Sequence, residues 1–389
     1  MADTLRDRTA IAGIGATEFS KDSGRTELQL AAECVTAALD DAGLEPGDVD
    51  GLCTFTMDTN PPGELLRMIG GKELTFFSQV GFGGGGGAGV VQQAAMAVAT
   101  GVADVVVCYR AMNERSGARF GQPMHQSRPT PEHLLWSHHT MHGLATPPAF
   151  MALAMRRYMH ETGATPDDFA HVAIAMRKHA ATNPKAWYYQ RPITLEDYHA
   201  SQMVADPLRR ADCCQESDGG VALVVVSAER ARDLKQPPVL IRAAASGATR
   251  GTHAMTNYYR PDISPRDESR VVARQLYAMA DLRPADMQVA ILYDHFGPAL
   301  LPALEAFGFC ADGEAKDYVK DGAIELGGRL PVNPNGGQLG EAYIHGMNGF
   351  AEAVRQLRGT AVNQVTGVEH ILATSGNATP TSAMILGRA

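Results

Sequence analysis

The first 113 residues alternate short apolar runs with longer segments whose apolar positions recur every three or four residues. TAIAGIGATEF predicts a strand, and TELQLAAECVTAALDDAGL predicts an amphipathic helix that ends at Gly43. VDGLCTF predicts a second, buried strand. The stretch GFGGGGGAGVVQQAAMAVATGVADVVVCY predicts a glycine loop, an alanine-rich helix and a valine-rich strand of the kind buried in a mostly parallel sheet. This order of elements is typical of an α/β fold.

The second part of the chain repeats the plan of the first. LRPADMQVA at 282–290 matches LEPGDVDGL at 44–52, and each lies between an alanine-rich helical pattern and a strand pattern. GFAEAVRQLRG likewise matches VVQQAAMAVATG, again after glycines. A separation of about 240 residues is too long for a solenoid repeat. We therefore predict two similar α/β halves, 1–235 and 236–389, with a site between them.

The segment from about 115 to 205 has no counterpart in the second half. It contains the polar stretch GQPMHQSRPTPEHLLWSHHTMHG and the aromatic cluster WYYQ at 187–190. We predict an insertion that covers one face as a lid or substrate-binding loop. WYYQ, and the second aromatic cluster NYY at 257–259, fit an apolar pocket and ordinary core packing equally well.

Composition narrows the class of protein. Of 389 residues, 45% are hydrophobic and 20% are charged, as in ordinary globular proteins. The net charge of −9 without a basic block argues against nucleic-acid binding. No apolar run approaches the roughly 20 residues of a membrane span, and MADTLRDRTA has no apolar signal region. The six cysteines show no CxxC spacing, so we expect reduced thiols and a cytoplasmic protein.

Candidate acid–base groups stand in two short stretches. NPNGGQLGEAYIHGMNG, residues 333–349, holds Tyr343 and His345 between glycines. The strand pattern ILYDHF holds the other three candidates, which are Tyr293, Asp294 and His295. A phenol both donates and accepts hydrogen bonds, and its ordinary pKa is near 10. Tyr293 and His295 would share a face if the strand continues that far.

Several motifs together resemble the thiolase superfamily, in the branch linked to sterol carrier protein and often labelled lipid-transfer proteins. They are IAGIGATEF, the glycine loop before QQAAMAVATGVADVVV, NPKA at 183–186, DCCQESDGG at 212–220, HFGPALLPALEAFG at 295–308 and NPNGG…HGMNGFAE at 333–352. The resemblance covers nearly the whole chain. It implies two βαβαβ halves in a layered αβαβα sandwich, usually a homodimer, that acts on acyl-CoA thioesters.

The departures from that family exclude its usual chemistry. GFGGGGGAG at 81–89 offers glycine or alanine wherever the nucleophilic cysteine of a thiolase would stand. Tyr293 falls where the family has a histidine, and Tyr343 occupies the histidine position of its Gly-His-Pro motif. The family's C-terminal cysteine falls in ATSGNAT at 373–379, which has no thiol. An acyl-enzyme cannot form by the thiolase route, and the paired change to tyrosine argues against simple decay.

A β-hydroxyacyl-CoA can be split by retro-aldol cleavage without a nucleophile. The reaction needs a base at the hydroxyl group, donors at the thioester oxygen and an acid for the enolate carbon. Tyr293 and Tyr343 are our candidates, helped by His295, Asp294 and His345. The glycine loops are candidates for substrate binding, since bare backbone approaches a ligand closely. The predicted binding residues are Gly84, Gly85, Gly86, Asn335, Gly336, Gly337, Ser375 and Gly376.

Within the superfamily, a cysteine-free branch of actinobacterial lipid-transfer proteins is similar to this chain. The resemblance implies an aldolase that cleaves a 17-hydroxy steroid C22-carboxyl-CoA ester to a 17-ketosteroid and propionyl-CoA. It also implies an OB-fold partner subunit linked to an enoyl-CoA hydratase, and no cofactor beyond the coenzyme A of the substrate. Two alternatives stay open: a non-catalytic acyl-CoA-binding or scaffold subunit, and a thiolase that uses Cys53, Cys108 or a serine.

Other signals are weaker. His138, His139 and His142 have a spacing that could bind a metal, but no HExxH glutamate accompanies them, so we predict no metal site. GFGGGGGAG contains GxGxxG, yet the strand after it ends in Arg110 rather than an acidic residue, which disfavours a dinucleotide site. We assign Cys213 and Cys214 to packing.

Overall fold

The computed structural model describes residues 5–55, 57–81, 83–117, 119, 137–251, 263–264, 266–376 and 381–389. The helices in this part of the chain are α1 (Glu27–Ala42), α2 (Pro62–Ile69), α3 (Gly87–Ala99), α4 (Pro147–Thr162), α5 (Pro166–Thr182), α6 (Leu195–Ala200), α7 (Ala228–Ala231), α8 (Arg266–Ala280), α9 (Leu300–Ala306), α10 (Ala315–Tyr318), α11 (Gly337–Gly340) and α12 (Met347–Arg358). The strands are β1 (Thr9–Ala16), β2 (Gly51–Phe55), β3 (Phe76–Val80), β4 (Val105–Asn113), β5 (Met203–Ala205), β6 (Leu208–Arg209), β7 (Asp218–Ser227), β8 (Val239–Gly247), β9 (Val289–Ile291), β10 (His370–Ser375) and β11 (Thr381–Arg388).

The main sheet has a mirrored strand order. Its strands run β3-β2-β4-β7-β1-β8-β11-β10-β9, and β1 pairs with β8 in the middle. From β1 outward, the partners are antiparallel β7, antiparallel β4, parallel β2 and parallel β3. From β8 outward, they are antiparallel β11, antiparallel β10 and parallel β9, followed by a parallel bridge from Ala290 to Val332. The two halves therefore share one topology, which confirms the predicted duplication.

The matched sequence stretches fold alike. Each forms a single 3-10 turn, at Pro46–Asp48 and at Pro284–Asp286. In each turn the aspartate accepts the backbone N–H three residues earlier, at 2.9 Å for Asp48 and 2.7 Å for Asp286. The same local hydrogen bond therefore precedes β2 in one half and β9 in the other.

Three apolar clusters hold five layers together, and the central one covers both sides of the middle helices. The first packs α1 and α2 on the outer face of the N-terminal half of the sheet. The second lies between the two halves and is built around α3 and α12. The third packs α4, α5, α8 and α9 on the outer face of the C-terminal half. This arrangement is the predicted αβαβα sandwich, and it places α3 and α12 at its centre.

Two details of the sequence reading need correction. The prediction of a mostly parallel sheet was wrong, because β7 and β11 insert antiparallel strands into each half. The strand that carries Tyr293 was predicted to extend to His295, but β9 ends at Ile291. Helix α1 does end where the sequence indicated, because Gly43 has a left-handed φ of 75° that caps it.

The insertion is partly described. Its helices α4 and α5 belong to the core cluster of the C-terminal half, so they are packed elements rather than a loose lid. Most of GQPMHQSRPTPEHLLWSHHTMHG and the whole of NYY at 257–259 lie outside the described residues. The boundary at 235/236 stays a prediction. None of the helices in the described ranges is long and apolar enough to cross a membrane.

Candidate active site

Glycine loops bring five segments together at the N-termini of the two central helices. A 3-10 turn at Gly83–Gly86 runs into α3, and the loop that carries Tyr343 and His345 runs into α12. The segment after β9 supplies Tyr293, and the ends of β4 and β10 close the site. Backbone dipoles make both helix N-termini partly positive. The site is therefore suited to a group that gains negative charge.

Tyr293 and Tyr343 meet at their hydroxyl groups. The two phenolic oxygens are 3.0 Å apart, although the residues are 50 positions apart in sequence. The two tyrosines are only 5% and 7% exposed. Their backbones are also fixed, since the Tyr293 N–H donates to Thr374 Oγ1 at 2.9 Å and the Tyr343 N–H donates to Ser217 Oγ at 3.1 Å. The structure thus brings the two predicted acid–base residues into direct contact.

The Tyr293 phenol fills the space in front of the glycine turn. A Cβ atom added at Gly84 would lie 1.7 Å from the Tyr293 hydroxyl oxygen. A side chain at this position would therefore point straight at that hydroxyl group. Tyr293 and a nucleophile on residue 84 cannot occupy the site together, which gives a steric reason for the missing cysteine.

Burial keeps both phenols protonated. Removal from water raises the pKa of Tyr293 and the pKa of Tyr343 well above the ordinary value for a phenol. Either hydroxyl group can donate in the hydrogen bond that joins them, so a proton can pass from one phenol to the other.

His345 is held in one tautomer by a buried arginine. Arg110 is 1% exposed, and its Nε–H donates to His345 Nδ1 at 3.1 Å. Since Nδ1 accepts, the ring proton lies on Nε2. Burial and the Arg110 charge hold the pKa of His345 well below its usual range, so the ring is neutral. His345 also has a left-handed φ of 48°, a strained conformation that is common at functional sites.

His295 lies against the Tyr293 ring although no strand places it there. The two ring centroids are 4.7 Å apart. His295 Nδ1 is buried and has no hydrogen-bond partner within the described part of the chain. Burial lowers the pKa of this imidazole to about 3, so it is neutral. Contact of His295 with a polar group of a substrate stays a prediction.

Asp294 supports the loop rather than either phenol. Its carboxylate accepts the N–H groups of Gln338 at 2.8 Å and Leu339 at 3.3 Å, at the start of α11. A Cβ added at Gly337 would lie 2.1 Å from this carboxylate, so glycine is required there. We therefore assign Asp294 to the construction of the loop, and no hydrogen bond of its carboxylate supports the predicted catalytic role.

The predicted binding residues also make mostly internal contacts. Asn335 donates to Glu341 Oε2 at 2.5 Å, and Gly336 packs so closely on Ala180 that a Cβ would lie 2.6 Å from its methyl group. The Ser375 hydroxyl accepts the Ala88 N–H at 3.1 Å and so caps α3. The carbonyl groups of Gly85 and Gly376 accept from Ser382 and Thr381. Substrate contact by these residues, and by Gly86, stays a prediction.

Sequence reasoning missed Arg110 as a site residue. It lies within valine-rich β4 and is only 1% exposed. A charged residue inside an apolar run was a usable signal, because buried charges are rare without a specific role.

The cysteines do not support a hidden nucleophile. Cys53 and Cys108 are opposite one another on β2 and β4, fully buried, and burial raises the pKa of Cys108 well above its usual range. A thiolate at Cys214 would act electrostatically on both phenols. Burial, however, raises the pKa of the Cys214 thiol well above its ordinary value. Because the thiolate is the nucleophilic form, the raised pKa values leave Cys108 and Cys214 unreactive. Within the described residues no group of histidine, cysteine and carboxylate side chains could hold a metal ion.

Comparisons with known proteins identify the family of the chain. The family model "Thiolase, N-terminal domain" matches residues 7–229, and "Thiolase C-terminal domain-like" matches residues 249–388. A steroid side-chain-cleaving aldolase of Thermomonospora curvata is 61% identical over 98% of each chain. A 17-hydroxy-3-oxo-4-pregnene-20-carboxyl-CoA lyase of Mycobacterium tuberculosis is 60% identical over 98% of this chain and 100% of that one. A solved structure titled "Ltp2-ChsH2(DUF35) aldolase" has a TM-score of 0.95 at 59% identity and covers 99% of both chains.

Proposed function

The chain belongs to the thiolase family, and we propose that it is a carbon–carbon lyase that cleaves a β-hydroxyacyl-CoA by retro-aldol chemistry. One observation carries this proposal: two buried phenols are in hydrogen-bond contact where a nucleophile at position 84 would have to stand. Among the described residues, the site has groups that can move protons, and position 84 has no side chain that could form an acyl-enzyme. The scaffold alternative leaves the buried, unpaired polar atoms of the site without an explanation.

The substrate we propose is 17-hydroxy-3-oxo-4-pregnene-20-carboxyl-CoA, which yields a 17-ketosteroid and propionyl-CoA. The names of the two relatives at 61% and 60% identity support this choice, because one is a steroid side-chain-cleaving aldolase and the other is the lyase for this compound. At such identity over nearly the whole chain, substrate class is commonly retained. The expectation of a cytoplasmic location stays a prediction.

We assign the two tyrosines to a proton relay across their hydrogen bond. Tyr293 takes the proton of the β-hydroxyl group while its own proton passes to Tyr343 across the 3.0 Å contact. The Cα–Cβ bond then breaks, the hydroxyl carbon becomes a ketone, and the thioester carries the electrons as an enolate. The Arg110 cation and the N-termini of α3 and α12 stabilise that negative charge. Tyr343 protonates the enolate carbon and completes propionyl-CoA.

A product assay tests the proposal. The protein, with its OB-fold partner, is incubated with the steroid CoA ester, and separately with acetoacetyl-CoA plus coenzyme A. We expect 17-ketosteroid and propionyl-CoA from the first mixture, and no acetyl-CoA from the second. Acetyl-CoA formation would show thiolase activity, and intact substrate in both mixtures would favour the scaffold alternative.

We also propose that the chain forms a homodimer through the edge strand β3 and binds an OB-fold subunit linked to an enoyl-CoA hydratase. β3 is the outermost strand of the sheet as described, and its Phe77 is 67% exposed. An edge strand with an exposed aromatic ring is a ready surface for a second copy. The solved structure titled "Ltp2-ChsH2(DUF35) aldolase" supports the second partner.

The dimer surface gives a direct prediction. Phe77→Lys places a charge on this edge, so we expect the molar mass from light scattering to fall from the dimer to the monomer value. Val102→Lys is the matched control, since Val102 is an exposed apolar residue (50%) in the turn before β4. A dimer that survives Phe77→Lys would place the interface elsewhere.

A further inference from the structure

Glu341 is a buried carboxylate in the loop that carries Tyr343, two residues before the phenol. It is 2% exposed, and asparagine side chains donate to both of its oxygens. Asn335 Nδ2 donates to Oε2 at 2.5 Å, Asn348 Nδ2 donates to the same oxygen at 2.8 Å, and Asn183 Nδ2 donates to Oε1 at 3.2 Å. A buried charge is costly unless hydrogen bonds satisfy it, and these three donors do so.

Two of the asparagines are fixed with their amide nitrogens toward Glu341. The Asn183 amide oxygen accepts the Lys185 N–H at 3.1 Å, which leaves its nitrogen for the carboxylate. The Asn335 amide oxygen likewise accepts the Gly337 N–H at 3.2 Å. Neither side chain can turn around without losing a bond to the backbone, so both present donors.

Asn348 joins the carboxylate to the backbone just before Tyr343. Its amide nitrogen donates to Glu341 Oε2 and also to the Ala342 carbonyl at 3.1 Å, so its oxygen cannot stand there. All three partners therefore require acceptors at position 341. A carboxylate accepts at both oxygens, whereas a glutamine amide would turn one N–H donor toward another.

The backbone of the same stretch is held by the WYYQ cluster at 187–190. The Glu341 carbonyl accepts the Trp187 N–H at 2.9 Å, and the Gly340 carbonyl accepts the Tyr188 N–H at 3.2 Å. The cluster closely follows Asn183, which ends α5, so one segment of the insertion reaches the loop through both backbone and side chain. The stretch before Tyr343 is thus fixed to the insertion.

Hydrogen bonds rather than apolar packing hold the Glu341 carboxylate. Glu341 borders a cavity of about 290 Å³ that Asn183, Asn335 and Arg355 also line. Close packing cannot fix a group on the side where a cavity lies. Burial raises the pKa of Glu341, and the Arg355 charge and the three amide donors oppose that rise.

The proton relay needs this loop to hold one conformation. The hydroxyl oxygens of Tyr293 and Tyr343 must stay within hydrogen-bond reach, as they are at 3.0 Å. His345 follows Tyr343 by two residues, and its left-handed φ of 48° is costly unless the surroundings impose it. Arg110 holds the loop after Tyr343 through His345, and Glu341 holds it before Tyr343.

We propose that Glu341 is a positioning residue for Tyr343, an inference that rests on the proposed lyase function. Its carboxylate gathers three amide donors from the end of α5, the loop before α11 and the start of α12. It thereby keeps the Tyr343 hydroxyl group in place between Tyr293 and the enolate carbon. Glu341 does not touch the substrate, so it acts on the rate of proton transfer rather than on the binding of the CoA ester.

The kinetics of Glu341→Gln test the proposal. Glutamine matches glutamate in size but places an N–H against an amide donor, so the loop should shift. We expect kcat to fall by about 100-fold, as a displacement of about 1 Å can cause, while KM stays near the wild-type value. In deuterated water, exchange of the α-protons of propionyl-CoA should slow by the same factor. A purely structural role would lower the melting temperature and leave both rates unchanged in the folded variant.

Glu352→Gln is the matched control. Glu352 is 3% exposed and lines the same cavity, and within the described residues a single amide, Gln356 Nε2, donates to it at 2.9 Å. Its ion pair with Arg355 spans 3.5 Å. Glutamine keeps the bond from Gln356, so we expect wild-type kcat and wild-type exchange.

A second change should repair the mismatch. In Glu341→Gln with Asn183→Asp, the new carboxylate accepts the glutamine N–H and still accepts the Lys185 N–H. The bond from Asn183 to the Asn335 carbonyl at 3.0 Å is lost, so kcat should recover only partly, by about tenfold. Asn348→Ala removes a single donor, so kcat should fall by about tenfold, which tests the proposal even if Glu341→Gln fails to fold.

The outcomes distinguish this inference from the proposed function. Wild-type kcat in folded Glu341→Gln, or an equal loss in Glu352→Gln, would overturn the role of Glu341 alone. So would wild-type kcat in Asn348→Ala, or a loss confined to KM, which would indicate substrate binding. Failure of the wild type to release both products would overturn the lyase function and this inference together.

Discussion

Tyr343→Phe should abolish turnover of the steroid CoA ester while leaving the fold intact. Phenylalanine keeps the buried ring, so packing is preserved, but the proton for the enolate carbon is lost. Removal of a general acid costs about 10²–10⁴ in rate, and the Tyr293 partner loses its hydrogen bond at the same time. We expect kcat to fall by about 1,000-fold or more, which is the upper part of that range of rate losses.

Two measurements make the Tyr343 result specific. In deuterated water, the wild type should exchange the α-protons of propionyl-CoA, since that exchange is the reverse of enolate protonation, and Tyr343→Phe should not. Tyr277→Phe is the matched control, because its hydroxyl group donates to the Phe307 carbonyl at 2.9 Å, outside the site. Near wild-type cleavage by Tyr343→Phe would rule out its role as the acid.

Gly84→Ala should inactivate the enzyme through steric displacement of Tyr293. The added Cβ would lie 1.7 Å from the hydroxyl oxygen and 2.5 Å from the ring carbon that carries it, so the phenol must move. A displacement of about 1 Å in a catalytic group can cost about 100-fold in rate. We expect at least that loss in kcat, with a decrease in stability of about 1–3 kcal/mol from overpacking.

A double variant shows whether Gly84 acts only through the phenol. In a Tyr293→Phe background, Gly84→Ala should add little further loss of activity, because the affected group is already gone. Gly63→Ala is the control for an ordinary glycine, since no atom lies within 4 Å of its added Cβ. Additive losses would show that the glycine turn contributes to catalysis independently of Tyr293.

The sequence contained enough to locate the tyrosine pair but not its surroundings. Tyr293 and Tyr343 were identifiable because each stands in a motif where the family has a histidine. Their contact could not be read from the sequence, since it depends on how the two halves pack. Asp294 looked equally suitable in sequence, but its carboxylate is occupied by backbone N–H groups of the Gln338 loop.

Errors about the sheet have a physical cause. β4 is buried on both faces, and a strand covered on both sides shows a continuous apolar run whether its neighbours are parallel or antiparallel. Its valines therefore carried no information on the direction of β7. The charge of Arg110 within that run was the available signal of a buried functional group, and the fold places Arg110 against His345.

The central claim is cleavage of a carbon–carbon bond by a tyrosine pair without a covalent intermediate. Mass spectrometry on a single turnover of the steroid CoA ester tests it most directly, with intact protein and products measured in the same time course. We predict 17-ketosteroid and propionyl-CoA in equal amounts, and a protein mass that stays unchanged at every time point. A protein mass raised by a bound acyl group, or propionyl-CoA without the ketosteroid, would contradict the account.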